Sequence, residues 1–334
     1  MRITDLQTPA LVVDGEALEH NLAAMSAALP GARLRPHVKA HKCTALARRQ
    51  AEGGHENFTC ATIRECEGMA AAGLGGDLML ANEVVDARRL GSLVAMNRRA
   101  RVTLAVDSDV TVEAASAGGV HEVIIDVNVG LPRCGCAPED AGHLADVARS
   151  KGLNVRGVMG YEGHAVGNDD RTLRETMTAD AMKLLLAAHA DVGGDLISAG
   201  GTGTYDINTW ANEIQAGSYA LMDTAYGHLD LPFRQALFVL ATVISVSPGY
   251  AVADCGLKAL GMDHGDPSIA NATVFFCSDE HVTFIPDEGH SVKVGDRVRV
   301  IPAHVDPTVA YHERMHVLDG DAILETWAVD LRGW

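Results

Sequence analysis

The feature that most limits how this chain can fold is an alternation. Across roughly residues 15 to 220, short apolar runs of strand character alternate with stretches whose apolar spacing is near 3.6. The runs lie at 34–38, 57–61, 77–80, 102–106, 123–127, 155–159 and 196–199, with a shorter one at 213–215. The helical stretches are 17–29, 44–52, 64–72, 87–97, 110–117, 138–150 and 173–192. Asp109 and Asp170 stand where they can cap helix starts, and Pro138 where a first turn tolerates proline. Strands alternating with helices predict a parallel α/β architecture, and a count of eight predicts a (β/α)8 TIM barrel. A doubly wound open sheet is the competing arrangement.

After residue 235 the texture changes. Short runs at 238–247, 274–277, 282–285, 297–301 and 323–329 are separated by Gly, Pro and Asp turns, without long helical periods. They predict a β-rich second domain, and the run at 10–13 can join its sheet. The expected division is a barrel over 15–235 and a β-rich domain made of 1–14 and 236–334. A chain of 334 residues is long enough for both.

Charge and cysteines exclude some roles. The formal net charge is −17, which argues against nucleic-acid binding, since that needs a basic footprint. The seven cysteines (Cys43, Cys60, Cys66, Cys134, Cys136, Cys255 and Cys277) form no CxxC pair and no framework, as expected of reduced thiols. The N-terminus has early acids and only a short apolar run, unlike a signal peptide. No apolar stretch approaches the roughly 20 residues of a membrane helix. The expectation is a soluble, cytoplasmic protein that does not engage membranes.

In such a barrel the active site is built at the C-terminal ends of the strands. The polar clusters that follow the apolar runs are therefore the candidates for chemistry. Lys39 follows the first run, in Arg35-Pro-His-Val-Lys39-Ala-His-Lys42. Burial and the like charge of Arg35, Lys42 and two histidines should favour its neutral amine, which Schiff-base chemistry requires. A solvated basic loop is the alternative. Ser198-Ala-Gly-Gly-Thr-Gly-Thr204 follows the seventh run. Its glycines let backbone approach an anion, and N–H groups with threonine hydroxyls can cradle a phosphate. A flexible turn is the alternative. Gln215-Ala-Gly-Ser-Tyr219 follows the eighth run and can complete the cradle. Gly130-Leu-Pro-Arg133-Cys-Gly135 and Gly160-Tyr161-Glu162-Gly163-His164 follow the fifth and sixth. Each is weak alone; four polar clusters at strand ends form the stronger observation.

The second domain carries Ile301-Pro-Ala-His304-Val-Asp306-Pro307. On a strand, His304 and Asp306 would share one face. An imidazole and a carboxylate together can ligate a divalent metal. A hydrogen-bonded His–Asp pair is the alternative. Ser278-Asp-Glu-His281 is a second polar knot, in which Glu280 or His281 supports the metal or substrate, or faces solvent.

Taken in order, these motifs resemble those of the D-threonine aldolase and D-serine dehydratase-like enzymes. These are a branch of the alanine-racemase-type (fold type III) pyridoxal-phosphate proteins. The resemblance covers nearly the whole chain, from Thr8-Pro-Ala-Leu-Val-Val-Asp14 through the clusters above to Pro302-Ala-His304-Val-Asp306-Pro-Thr308. It implies a barrel plus a β domain in a homodimer, with sites near the subunit interface. It implies that Lys39 holds pyridoxal 5′-phosphate as a Schiff base. Gly201, Thr202, Gly217, Ser218 and Tyr219 would surround the phosphate, and Arg133 and Tyr161 would lie along the pyridine ring. A divalent metal would sit on His304 and the residue two places on. Dehydratase-like members carry His-x-Cys there and use zinc; aldolase members carry His-x-Asp, and here the residue is Asp306. A carboxylate favours Mn2+ or Mg2+, with Zn2+ possible. Two departures stand out. The chain is shorter than typical members, which trims loops at the barrel mouth, and Val282 follows Glu280-His281 where the family has glycine.

The implied reaction cleaves a D-3-hydroxy amino acid, D-threonine-like, to glycine and an aldehyde, with a metal-bound water or His164 as base. The rival is dehydration to a 2-oxo acid and ammonia, with Lys39 removing the α-proton. A racemase needs no metal, so the His-x-Asp pair counts against it. A cofactor-binding regulator without turnover generally lacks a second domain of about a hundred residues. D-threonine, D-3-phenylserine and D-3-hydroxyaspartate differ only beyond Cβ and are not separated.

Overall fold

The computed structural model of the chain describes residues 1–95 and 100–334. The chain forms two compact units. One holds Met1–Ala24, Ala40–Ala45 and Ser218–Asp330; the other holds Met25–Lys39, Leu46–Gly217 and Leu331–Trp334.

Strand β1 (Ala10–Asp14) and helix α1 (Gly15–Ala28) come first. Seven parallel strands follow: β2 (Asn57–Cys60), β3 (Asp77–Leu80), β4 (Val102–Val106), β5 (Glu122–Asp126), β6 (Asn154–Gly160), β7 (Leu196–Ala199) and β8 (Glu213–Ile214). They pair in sequence order within one sheet. Helix α2 (Thr44–Glu52) precedes β2; α3 (Ile63–Ala71), α4 (Ala87–Ala95), α5 (Asp109–Ala117), α6 (Ala141–Ser150) and α7 (Arg171–Val192) lie between the strands. The helix expected over 87–97 is α4, and positions 96–97 lie outside the described residues. The alternation thus yields the expected α/β barrel architecture.

The first expected strand, 34–38, is not a ladder strand. It contributes two parallel bridges, Leu34 to Ile214 and His37 to Thr59. Arg35 and His37 donate to the carbonyls of Ile214 (2.9 Å) and Ala216 (3.0 Å), and Thr59 donates to Pro36 (2.9 Å). Pro36 has no N–H to return to β2, so the ladder there is one donor short. The segment still links β8 to β2, at the first of the eight positions.

Helix starts follow local chemistry. Ser108, rather than Asp109, caps α5, its hydroxyl accepting the Thr111 amide at 3.4 Å. Asp109 becomes the first helical residue, where its charge suits the positive end of the helix. Asp170 caps α7 through the Leu173 amide at 3.1 Å. Pro138 opens a short 3-10 turn leading into α6. Met79, Ala105, Ile124 and Met159 pack together as buried core. Each large apolar side chain so buried stabilises the fold by roughly 1.5–3 kcal/mol.

The other unit holds α8 (Thr224–Gly227), α9 (Val305–Tyr311) and eight strands besides β1. These are β9 (Leu237–Ser247), β10 (Tyr250–Ala253), β11 (Ser268–Ile269), β12 (Ala272–Cys277), β13 (Val282–Pro286), β14 (Arg297–Ile301), β15 (Arg314–Asp319) and β16 (Ala322–Ala328). β9 pairs with β14 on one side and with β1 and β10 along the other, so β9, β10, β13, β12, β11 and β14 close a ring. β1 continues the sheet to β15 and β16. Val12, Phe238, Leu240 and Leu318 form its buried cluster with Ile3, Leu6 and Ala10. No helix among the described residues is long and apolar enough to cross a membrane.

Candidate active site

Arg35 precedes Lys39 by four residues, yet its guanidinium reaches the opposite strand ends. Nε donates to Glu213 at 2.8 Å and Nη1 to Asp77 at 3.1 Å, the first residues of β8 and β3. Arg156 also bonds Asp77 (3.0 Å), and Arg101 bonds Glu122 (2.8 Å), the first residue of β5. Burial pushes the Asp77 carboxyl up, but hydrogen bonds and charge from Arg156 and Arg35 outweigh it, so its pKa is lowered. Arg35 is wholly buried and matched by carboxylates. The expectation that Arg35 acts on the Lys39 amine is therefore corrected. The strand-start acids and arginines form a network that sequence reading missed; its signal is a charged residue opening β3, β5 and β8.

Lys39 itself is half-buried in a 3-10 turn at the end of the 34–38 segment, its amide 3.5 Å from His37 Nδ1. The His37 amide bonds the carbonyl of Ala216, whose next residue is Gly217. The segment ending in Lys39 and the segment ending in Gly217 are thus tied two residues and one residue from those ends.

The glycine loop after β7 is held from behind by Glu162, which is fully buried. Glu162 accepts the Gly200 amide (3.0 Å), the Thr204 hydroxyl (2.9 Å) and the Asn208 amide group (2.9 Å). Gly200 has φ +80°, which suits glycine. A Cβ on Gly203 would collide with the Val166 carbonyl oxygen. A Cβ on Gly201 would stand 3.2 Å from the Tyr161 ring. Loop and ring therefore lie close, and the Arg133 guanidinium sits 5.5 Å from the centroid of the same ring. Thr202 is buried. His164 packs on Gly130, where a Cβ would stand 2.8 Å from the imidazole Cε1. Its Nδ1 is buried and has no hydrogen-bond partner among the described residues. Tyr161, His164, Arg133, Gly201 and Thr202 are thus held at the ends of β5, β6 and β7.

Beside Arg133 lies an acid that motif reading did not single out. Asp126 ends β5, and burial together with the charge of Glu83 pushes its carboxyl well up, while Arg133 acts the other way. Cys134 is pushed up to about 11 by its hydrogen bond to Glu83 and by burial.

In the other unit, Ser218 and Tyr219 begin a 3-10 turn, and Tyr219 packs on Phe233 at 5.7 Å. His304 and Asp306 do not lie on a strand, which corrects that expectation. β14 ends at Ile301, Pro302 follows it, and α9 begins after His304 with Pro307 tolerated in its first turn. Even so, His304 Nε2 and Asp306 Oδ1 are 3.8 Å apart. Two further residues join them. Asp263 meets His304 Nδ1 at 2.8 Å, and the His264 ring stacks on His304 at 3.9 Å. Asp223 accepts the Val305 amide at 2.8 Å, and burial raises its carboxyl to about 6. Glu280 pairs at the surface with Lys258 (2.6 Å), and Val282, buried, opens β13.

Residues 13–224 match the alanine racemase N-terminal domain family, and 236–318 match a domain family named for serine dehydratase. A D-threonine aldolase of Arthrobacter sp is 33% identical over 356 residues, covering 98% of this chain and 93% of its own. The chain belongs to the D-threonine aldolase and D-serine dehydratase-like family. The crystal structure of D-threonine aldolase from Filomicrobium marinum superposes on this family member with TM-score 0.93 at 32% identity, covering 99% of this chain and 97% of that one. D-threo-3-hydroxyaspartate dehydratase of Delftia sp. (strain HT23) is 26% identical over 375 residues, covering 98% of each.

Pyridoxal 5′-phosphate is the cofactor of this alanine-racemase-type family, and the barrel residues fit it. The Tyr161 ring and the Arg133 guanidinium suit a flat heteroaromatic ring, and the adjacent loop, with Gly201 against that ring and Thr202 buried, suits a phosphate. The second unit fits a divalent ion. At 3.8 Å, His304 Nε2 and Asp306 Oδ1 are too far apart for a hydrogen bond. Two donors on one ion, at bonds of about 2.1 Å, stand roughly 3.0–4.2 Å apart.

Proposed function

We propose that this chain is a carbon–carbon lyase, dependent on pyridoxal 5′-phosphate and a divalent metal, that cleaves D-3-hydroxy amino acids to glycine and an aldehyde. The observation that carries the reading is the His304–Asp306 pair, a nitrogen and a carboxylate oxygen 3.8 Å apart in a relative of D-threonine aldolase. A carboxylate at that place suits Mn2+ or Mg2+ better than a thiolate would.

Lys39 is the residue that would tether the cofactor. Gly201, Thr202 and Gly217, with Ser218 and Tyr219 next in sequence, would receive its phosphate. Arg133 and Tyr161 would orient its ring. His304 and Asp306 would hold the metal. When bound, pyridoxal phosphate supplies an electron sink for the bond broken at Cα, and the ion supplies a Lewis acid for the β-hydroxyl. The chain's own task is to hold the Cα–Cβ bond in the orientation that makes it the labile one. His164 has an imidazole nitrogen buried without a hydrogen-bond partner among the described residues. It is the chain's candidate for taking the proton from the β-hydroxyl. The similarity to a dehydratase supports a second reading, loss of water to a 2-oxo acid and ammonia, with Lys39 taking the α-proton.

One assay separates them. The protein is incubated with D-threonine, pyridoxal phosphate and Mn2+, and acetaldehyde and 2-oxobutyrate are measured separately. Acetaldehyde is the expected product; 2-oxobutyrate alone sinks the aldolase reading. A homodimer and a cytoplasmic setting complete the proposal. All seven cysteines are free thiols, which supports a reducing compartment, and sedimentation tests the dimer.

A further inference from the structure

We propose that Asp263 is a positioning residue for the divalent metal, holding His304 as the tautomer whose Nε2 is left to bind the ion beside Asp306. The inference rests on the metal reading above. An imidazole offers its lone pair from one nitrogen only, and the partner of the other nitrogen decides which. Both oxygens of Asp263 approach His304 Nδ1, at 2.9 and 2.8 Å. An ionised carboxylate can only accept, so Nδ1 carries the hydrogen and donates it. Nε2 then presents its lone pair on the side of the ring where Asp306 Oδ1 lies 3.8 Å away.

The placement of Asp263 is built, not incidental. Gly261, two residues earlier, donates its amide to Thr308 Oγ1 at 2.8 Å, and Thr308 donates to the His304 carbonyl at 2.7 Å. That relay pins the Asp263 loop to the start of α9. A Cβ on Gly261 would collide with Pro307, so the loop can approach the helix only with glycine there. The His264 ring lies stacked on His304, 11° from parallel, while the Asp263 contact is made to Nδ1. Asp263, His264 and His304 also stand close enough to hold an ion themselves. The contact of both carboxylate oxygens with Nδ1 at hydrogen-bond distance argues for the positioning role instead.

The test is Mn2+ binding to chelator-treated protein, followed by electron paramagnetic resonance of free Mn2+. Wild type is compared with His304→Ala, Asp263→Asn, Asp263→Glu and His264→Ala. Circular dichroism and retained cofactor absorbance report folding. Expected are binding by wild type, loss in His304→Ala, and a roughly 10–100-fold weakening in Asp263→Asn. Asp263→Glu should recover part of that loss, and His264→Ala should change affinity little. Wild-type affinity in Asp263→Asn, with binding lost in His304→Ala, overturns the positioning role and leaves the metal reading standing. No Mn2+ binding by wild type overturns both. His264→Ala as damaging as Asp263→Asn overturns the proposal in favour of an ion held directly by Asp263, His264 and His304. If Asp263→Asn does not fold, the nitrogen-15 shifts of His304 in metal-free wild type decide. A protonated Nδ1 supports the proposal, and a protonated Nε2 with bare Nδ1 overturns it.

Discussion

The carboxylate of Glu162 accepts the backbone amide of Gly200 at 3.0 Å, joining the loop after β6 to the loop after β7. Buried and also bonded to Thr204 and Asn208, it fixes the curvature of the glycine loop from its hidden side.

Replacing Glu162 with Ala leaves buried donors unmet, at about 1–3 kcal/mol for each donor that finds no other partner. The loop should then lose its shape before the barrel unfolds. The expected result is pyridoxal phosphate affinity weakened by at least ~tenfold, read by a fluorescence titration. Wild-type affinity in Glu162→Ala would show that the loop holds its form without this acid.

Lys39→Ala should abolish the visible absorbance band of the bound cofactor in protein that remains folded by circular dichroism. A retained band would mean that another amine tethers the cofactor.

Gly203→Ala places a methyl against the Val166 carbonyl oxygen. Backbone cannot step aside as a flexible side chain can, so the substitution should cost roughly 1–3 kcal/mol. A urea midpoint unchanged from wild type contradicts that account.

Acid should loosen the strand-start network. The Asp77 carboxyl is held below its ordinary 3.8 in the folded protein, because Arg156 and Arg35 outweigh burial. Below that ordinary value the unfolded chain takes up a proton that the folded protein refuses. The stability Asp77 contributes is therefore complete above it and lost as pH falls through the folded value. Asp77→Asn should flatten the fall of the urea midpoint below about pH 4. An unaltered slope would place the acid sensitivity elsewhere.

Much of the fold is written locally. Apolar runs and 3.6-residue spacing mark β2 to β8 and the helices between them, because burial of one face leaves that trace. The departures have particular causes. The absent N–H of Pro36 interrupts the first strand while its sequence still reads as apolar. Pro302 and Pro307 turn His304 and Asp306 onto a helix start, although the two-residue spacing suits a strand. The glycine loop after β7 was legible as a tight turn, because Gly200 at φ +80° and Gly203 packed against the Val166 carbonyl require glycine in the sequence. Asp263 was not legible, because it reaches His304 across 41 residues, and neither were the partners of Glu162, of which Asn208 lies 46 residues away. No local period encodes such a partner.

The bridges around Pro36 make the barrel a hoop with one pinned joint. Elsewhere neighbouring strands are laced by ladders; here three backbone hydrogen bonds join residues 35–37 to their neighbours, and the Arg35 side chain clamps the joint from inside. Such a joint can flex without unzipping a ladder. The amides of His37 and Thr59 should exchange with deuterium ahead of those in β4 and β5. Lys39 sits just past that joint, so the residue that would carry the cofactor rides on a stave held by bridges rather than by a ladder.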